Sequence, residues 1–414
     1  MTPRARPVIG ARAVDVFDAR VARAAARTVI VDALRVVSII FSRCVAVCGD
    51  VSRRRRMRAS GRATIWSTTC ARGVERASTA LDARARGGVA RGRAGVVVRK
   101  WIRRETRAKS APKDMQTWRD IVPDVDDTRA GYALDVGGST SATCARAVVV
   151  VPGLTDGPES LSYAAPTSAL AEACRERDFK LVRFELTSSY ERYGTVGDLN
   201  SDAREIGMIV RAVSEKFGVE KFTLLGHSTG CQSICHLMRT TNDAGLIDMV
   251  ERIVLQAGVS DRDWYDHENG VDVMREAVRV AERMASPSDL MPSDAPGTYG
   301  VPTTARRFIS LAGKYGDDDW FSLDLFDGSS SSDARKIANL TTCANVDVRL
   351  VVSTQDEYVP YNQDTIRAHN ERIRAAFEAV AKSAATHYVE ANHDLSDIKE
   401  EDVAGVVDFI LPSR

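Results

Sequence analysis

From residue 146 to the end of the chain, short apolar runs alternate with longer stretches whose apolar residues recur at helical spacing. The runs have the length of strands, and several, such as AVVVV at residues 147–151, are apolar throughout. Strands of that kind are buried on both faces, as in a parallel sheet covered by helices on both sides. This pattern predicts an α/β fold with a mainly parallel sheet flanked by helices.

Six strands and four helices follow from this alternation. The strands are predicted at residues 147–151, 180–186, 222–225, 252–256, 346–353 and 386–390. The helices are predicted at residues 170–177, 206–217, 234–238 and 403–410. Together they indicate one domain over residues 135–414.

About 90 residues separate the fourth and fifth predicted strands, far more than one crossover needs. We interpret residues 264–336 within this stretch as a lid insertion over a site. Two interpretations of its aromatic side chains remain open, since they either line a substrate pocket or anchor the lid to the body. These side chains are Trp264, Tyr265, Phe308, Trp320 and Phe321.

Residues 1–113 form a basic N-terminal extension. They hold 27 Lys and Arg against 7 Asp and Glu, whereas the remaining residues hold 30 against 49. A basic, acid-poor start is typical of an organelle transit peptide, which would direct an intracellular protein to a chloroplast or mitochondrion. The alternatives are a partly disordered extension of a cytoplasmic protein and a nucleic-acid patch at residues 52–58. Because Trp66 and Trp101 stand alone, we expect no nucleic acid partner.

The most apolar part of the extension, residues 28–48, contains Asp32, Arg35 and Arg43. Each of these charges costs about 2.5 to 3.5 kcal/mol at the centre of a membrane-spanning helix. The sequence therefore predicts no transmembrane segment.

Signals for cofactors, metals and disulfides are absent from the sequence. It contains no Walker A motif, no G-x-G-x-x-G and no His/Cys cluster at zinc-ligand spacing, so we expect neither a cofactor nor a metal. The eight cysteines form no C-x-x-C pair, which indicates reduced, mostly buried thiols. For Cys231 and Cys235 we expect a packing role.

A serine stands between two glycines in GHSTG, residues 226–230, after one predicted strand and before a predicted helix. The motif G-x-S-x-G arises by chance about 0.14 times in a chain of this length, so its context matters. Between a strand and a helix, a strained turn of this kind exposes the serine hydroxyl as a nucleophile. Glycines are expected at both ends because side chains there would collide with the neighbouring strand or helix. Ser228 is therefore the candidate nucleophile.

A serine nucleophile requires a base, and the base requires an acid to orient it. In α/β-hydrolases the three follow in the order Ser, Asp or Glu, His. Asp356 directly follows a predicted strand, and His393 alone among the six histidines combines this order with a loop after the last strand. Glu357 and Asp261 remain alternatives for the acid, and a turn or N-cap role is the structural alternative for Asp356.

The oxyanion of an acyl-transfer reaction needs backbone N–H donors. One is expected from Thr229, directly after the nucleophile, and the other from Leu154 in the loop VPGLTDG. Gly153 in that loop frees the backbone to turn, although an ordinary turn would have the same Pro-Gly sequence.

Five ordered motifs within residues 145–414 resemble the α/β-hydrolase family that contains the fungal fusarinine C esterase of siderophore breakdown. They are VVVVPGLTDG, FELTSSYERYGTVGDLNSDAREI, LLGHSTGCQ, TTARRFISLAGKYGDDDWFSLDL and VVSTQDEYVP. The resemblance implies an α/β-hydrolase fold and a serine hydrolase of ester bonds, with Ser228, Asp356 and His393 matching nucleophile, acid and base. The segment LFDGSSSSDARKI departs from the family pattern within the lid.

We therefore expect a serine esterase that cleaves a small-molecule ester through an acyl-enzyme. An acyltransferase, a thioesterase or a lipase on the same scaffold is the first alternative, because a fold does not determine a substrate. A non-catalytic binding protein is the second.

Overall fold

The computed structural model describes residues 116–122, 125, 129, 131–158, 168–327 and 335–412. The predicted extension at residues 1–113, including its transit-peptide interpretation, lies outside these residues. Each helix that is described is too short or too polar to cross a membrane.

One sheet of eight strands runs through the described residues, in the order β1-β2-β4-β3-β5-β6-β7-β8. The strands are β1 (Gln116–Thr117), β2 (Ala133–Gly138), β3 (Arg146–Val151), β4 (Phe179–Phe184), β5 (Lys221–His227), β6 (Val250–Gln256), β7 (Asp347–Ser353) and β8 (Ser383–Val389). The strands β1 and β2 pair antiparallel with their neighbours, and all other pairs are parallel. The predicted mainly parallel sheet is confirmed with all six predicted strands, and β1 and β2 extend it beyond the prediction.

The α-helices among the described residues are α1 (Trp118–Ile121), α2 (Ala169–Glu176), α3 (Leu199–Phe217), α4 (Thr229–Thr240), α5 (Ala244–Met249), α6 (Asp261–Asn269), α7 (Val271–Glu282), α8 (Ala305–Ala312), α9 (Arg335–Ala338), α10 (Gln363–Glu378) and α11 (Glu400–Ile410). Short 3-10 helices lie at Tyr190–Gly194, Leu323–Leu325 and Thr341–Cys343. The caps of α3 show why it starts and ends where it does. The Asp198 side chain accepts the Ser201 N–H, and Gly218 ends the helix at a φ of 67°.

Helices cover both faces of the sheet. Side chains alternate along β3, so Val149 and Val151 join one apolar cluster with α3, α4 and α10, whereas Val148 and Val150 join another with α2 and α11. Burial on both faces explains the uninterrupted apolar runs in the sequence.

The strand order reverses at β3, because the chain continues to β4 on one side and later to β5 on the other. In open α/β sheets, ligands bind outside the carboxyl ends of the strands at such a point. The loops after β3 and β5 carry Gly153 and Ser228. The fold thus brings the two loops singled out in the sequence to the edge where ligands bind.

The connection between β6 and β7, residues 257–346, is called the crossover segment below. It contains α6 to α9 among its described residues, and Tyr265 and Phe308 pack there in an apolar cluster of their own. Trp320 and Phe321 instead join the cluster that lies against α3, α4 and α10. The lid role of residues 264–336 stays a prediction.

Candidate active site

Ser228 occupies the junction between a strand and a helix, because β5 ends at His227 and α4 begins at Thr229. Its φ of 52° and ψ of −125° lie in a region that residues other than glycine rarely adopt. Such a conformation costs about 1 to 3 kcal/mol and persists only where the surroundings enforce it. The backbone at Ser228 is therefore strained at the edge where ligands bind.

The glycines of this turn are required by close contacts. A Cβ atom at Gly226 would lie 2.7 Å from the backbone nitrogen of Cys231 in α4, and one at Gly230 would collide with the Val151 carbonyl oxygen of β3. The predicted reason for the two glycines is confirmed.

Asp356 and His393 are in direct contact, since Asp356 Oδ2 lies 2.7 Å from His393 Nδ1. Asp356 follows β7 and His393 follows β8, the neighbouring strand, and both side chains are buried. Burial alone would lower the pKa of His393, but the Asp356 carboxylate raises it above its ordinary value. The imidazole is thus held in one orientation, and its cation is stabilised.

The two alternative acids have other partners. Glu357 Oε2 accepts the backbone N–H of His393 at 3.0 Å, so it holds the loop that carries the imidazole. Asp261 lies at the start of α6, where its Oδ2 is 3.5 Å from Gln232 Nε2.

Gln256, the buried last residue of β6, connects the loops of Ser228 and His393. Its backbone carbonyl accepts the Ser228 N–H at 3.0 Å, and its side-chain Nε2 donates to the His393 carbonyl at 2.9 Å. Gln256 is not among the site residues predicted from the sequence. The available signal was a polar residue at the end of the apolar strand RIVLQ.

His227 is held in one neutral tautomer beside the base. Because Gln256 Nε2 faces a carbonyl, its Oε1 must be the atom 2.5 Å from His227 Nδ1, which therefore carries the proton. Burial and the nearby His393, whose ring centroid is 4.8 Å away, lower the pKa of His227 to about 4. The other ring nitrogen, Nε2, lies 3.5 Å from Asp156 Oδ2 in the loop after β3. His227 thus stays uncharged at neutral pH.

The loop after β3 packs directly against the Ser228 turn. A Cβ atom at Gly153 would lie 2.8 Å from the Ser228 Cβ, so this close approach needs glycine. Leu154 follows at once and packs against the apolar cluster of the crossover segment. Thr229 opens α4, so its N–H has no acceptor within the helix. The structure therefore places the loops of both predicted oxyanion donors beside Ser228.

Side chains that could bind a metal do not cluster among the described residues, and the thiols there are buried. The described residues contain no group of three or more His, Cys, Asp or Glu side chains able to hold a metal ion. Their cysteines are buried and free, and burial raises the pKa of the Cys231 thiol.

Residues 119–411 match the model of a family described as a protein of unknown function, DUF1749, which covers more than half of the chain. The chain belongs to the DUF1749 family. It is 30% identical to the fusarinine C esterase sidJ of Aspergillus fumigatus over 233 aligned residues, which cover 46% of this chain and 65% of the esterase. That alignment spans slightly less than two thirds of the relative's length.

A second relative of this DUF1749 chain is UPF0613 protein PB24D3.06c of Schizosaccharomyces pombe. The two are 29% identical over 245 aligned residues, which cover 56% of this chain and 74% of the relative. Among solved structures, the siderophore hydrolase EstB from Aspergillus fumigatus aligns with a TM-score of 0.54 at 23% identity, over 74% of this chain and 99% of EstB. The α/β-hydrolase fold and the family resemblance read from the sequence are both confirmed.

Proposed function

We propose that this DUF1749 chain is a serine hydrolase that cleaves carboxylic ester bonds through an acyl-enzyme. Ser228 is the nucleophile, His393 the general base and Asp356 the acid that orients the base. The observation that carries the proposal is the 2.7 Å contact between Asp356 and His393 on the same sheet edge as the strained Ser228 turn.

In the first half of the reaction, His393 Nε2 takes the proton of the Ser228 hydroxyl as its Oγ attacks the ester carbonyl carbon. Asp356 accepts the Nδ1–H of His393, which leaves Nε2 free to act as a base and stabilises the imidazolium that forms. His393 then gives the proton to the leaving alkoxide, and an alcohol and an acyl-enzyme result. In the second half, water attacks the acyl-enzyme by the same proton transfers and releases the acid.

The backbone N–H groups of Leu154 and Thr229 stabilise the oxyanion in both halves. Removing one such donor costs about 2.7 to 4 kcal/mol of transition-state stabilisation in other hydrolases. The contact between Gly153 and Ser228 supports this role for Leu154, because it sets the loop against the reacting centre. His227, with its pKa of about 4, adds no positive charge beside His393 at neutral pH.

The ester substrate class is supported by the fusarinine C esterase, whose name describes it as an esterase. We propose that this chain likewise cleaves an ester bond and that its substrate is a small molecule. The lid role of residues 264–336 within a domain at residues 135–414 is part of the same proposal. Its support is that α6 packs Trp264 against Tyr358, the second residue after Asp356.

The proposal is tested by labelling with a fluorophosphonate probe and by hydrolysis of a panel of 4-nitrophenyl esters. The full chain should be labelled and active. Ser228→Ala should abolish labelling and reduce kcat by about 10⁶-fold, as loss of the nucleophile does in other serine hydrolases. Alanine fits the turn, so the variant should keep its circular dichroism spectrum. Labelling that persists in Ser228→Ala would falsify the assignment.

A further inference from the structure

Aromatic rings connect the proposed base to the crossover segment. The ring of Tyr358 packs edge-on against His393, with centroids 4.7 Å apart, and Trp264 packs edge-on against Tyr358 at 5.3 Å. Trp264 belongs to α6, so this helix borders the reacting centre. Trp264 and Tyr358 are both partly exposed.

Asp261 precedes Trp264 by three residues and therefore lies on the same side of α6. Its partly buried carboxylate interacts electrostatically with His393 and with Arg307, but Arg307 already binds Asp318 at 2.5 Å. Besides its own backbone N–H, Asp261 meets one hydrogen-bond donor among the described residues, Gln232 Nε2, at the long distance of 3.5 Å. The Asp261 carboxylate can therefore accept further hydrogen bonds.

Gln232 supplies a second acceptor at the same place. Its side chain is wholly buried, and Nε2 also donates to the Val259 carbonyl at 3.0 Å, which fixes the orientation of the amide. Its Oε1 has no hydrogen-bond partner among the described residues. Oε1 is bonded to the same amide carbon as Nε2, so an unpaired buried acceptor lies within one amide group of the contact with Asp261. Buried acceptors without a donor are uncommon and call for an explanation.

We propose that Asp261 and Gln232 form a subsite for an ammonium group of the ester substrate, with Trp264 and Tyr358 as its aromatic wall. This inference rests on the proposed ester hydrolysis and adds a substrate class to it. An ammonium group brings a positive charge and several donors, which match a carboxylate and an amide oxygen. Aromatic faces attract the same cation through their quadrupoles. A neutral alkyl group would leave both acceptors unpaired.

The electrostatics of the subsite agree with this ligand. Burial raises the pKa of Asp261 to about 7, the neighbouring Asp318 adds to the rise, and Arg307 and His393 oppose it. A bound ammonium group would favour the ionised carboxylate and repay part of its desolvation.

Two pairs of esters test the subsite, each pair with the same shape and a different charge. On the alcohol side, 4-aminobutyl butyrate is compared with pentyl butyrate, in which a methyl group replaces the ammonium group. On the acyl side, methyl 6-aminohexanoate is compared with methyl heptanoate. In at least one pair, kcat/KM should favour the cationic ester by about tenfold or more, the effect of one charge-assisted contact.

Asp261→Asn should reduce that cationic-to-neutral ratio to about one, mainly through KM of the cationic ester. The matched control is Asp272→Asn in the adjacent helix α7, where the side chain is 94% exposed and pairs with Arg275 at 2.7 Å. This control should keep the wild-type ratio. An unchanged ratio in Asp261→Asn, or a preference for the neutral ester in both pairs, would overturn the subsite.

The experiments distinguish an incorrect subsite from an incorrect assignment of the chain as a serine hydrolase. A wild-type chain that hydrolyses neutral esters without any charge preference refutes the subsite alone, whereas a chain that the fluorophosphonate does not label refutes both. If the wild type is labelled but hydrolyses none of the four esters, the subsite is tested by measuring how well small compounds protect the chain against labelling. In the wild type, pentylammonium should slow labelling more than pentanol does. In Asp261→Asn, the two compounds should slow labelling to the same extent. Equal protection by the two compounds in the wild type would overturn the subsite.

Discussion

The edge of the sheet and the crossover segment hold their polar side chains in different ways. At the edge, Asp356 contacts the His393 side chain directly, and Gln256 of β6 bonds to the His393 backbone carbonyl after β8 at 2.9 Å. In the crossover segment, charges pair with one another, as in the buried pair of Arg307 and Asp318 at 2.5 Å. Strand spacing fixes the first kind of contact, which suits a reaction that tolerates little displacement. The second kind links parts of the crossover segment to one another, as Arg307 of α8 is linked to Asp318 in the loop after that helix.

Two buried glutamines show the difference between the sheet edge and the crossover segment. Gln256 ends β6 and has bonds to the loops of Ser228 and His393, whereas Gln232 in α4 bonds to Val259 in the crossover segment. Both side chains are fully buried. Loss of the Gln256 side chain should therefore reduce the rate of the reaction, and loss of the Gln232 side chain should reduce discrimination among substrates.

The largest expected contrast between the two regions is between their aspartates. Asp356→Asn should reduce kcat for a neutral ester by about 10⁴-fold, because an amide favours the wrong imidazole tautomer and does not stabilise its cation. Asp261→Asn should cost at least a hundredfold less on that ester, since Asp261 does not contact the imidazole. Steady-state kinetics of the two variants measures this contrast. A larger loss at Asp261 would move the acid role into the crossover segment.

The order of Ser228, Asp356 and His393 could be read from the sequence because Ser228 and Asp356 each follow a strand with a clear apolar run and His393 follows the predicted strand THYVE. Those strands are confirmed, as is the reason for the glycines around Ser228. The strand β1 escaped prediction because it has two residues, and β2 because two of its six residues are glycines. Neither strand has an apolar run of the usual length.

The contacts that surround the candidate triad could not be read from the sequence. Gln256 lies 137 residues before His393, and Trp264 meets Tyr358 across most of the crossover segment. Such pairs depend on which strands are neighbours and on how the helices of the crossover segment fold back. Local periodicity carries neither kind of information.

A smaller contrast is expected between the two glutamines. Gln256→Leu keeps volume and burial but removes the donor to the His393 carbonyl and the acceptor for His227. We expect kcat to fall by about 10²-fold with little change in KM, the effect of a base displaced by a fraction of its contact distance. Gln232→Leu should lower kcat for a neutral ester less than Gln256→Leu and should raise KM for the ammonium ester. Equal kcat losses in both variants would indicate general destabilisation, which thermal unfolding of each would reveal.

The smallest expected effect is the pH dependence of the reaction at the sheet edge. In the proposed mechanism only neutral His393 takes the serine proton, so kcat/KM for a neutral ester should fall about tenfold per pH unit below the pKa of His393. Burial opposes the cation, but Asp356, Glu357 and Asp156 favour it, so this pKa and the midpoint of the fall lie above about 6.5, the ordinary histidine value. Neighbouring His227 remains neutral down to about pH 4 and adds no step in this range.

The rate of fluorophosphonate labelling as a function of pH measures this midpoint without a substrate. Asp356→Asn removes the largest influence that raises the pKa of His393, so burial should then shift the midpoint of the slow residual labelling to lower pH. Asp261→Asn should move it in the same direction but less, because Asp261 interacts with His393 without a hydrogen bond to it. A midpoint that Asp261→Asn lowers more than Asp356→Asn does would mean that the crossover segment, rather than the sheet edge, sets the basicity of His393.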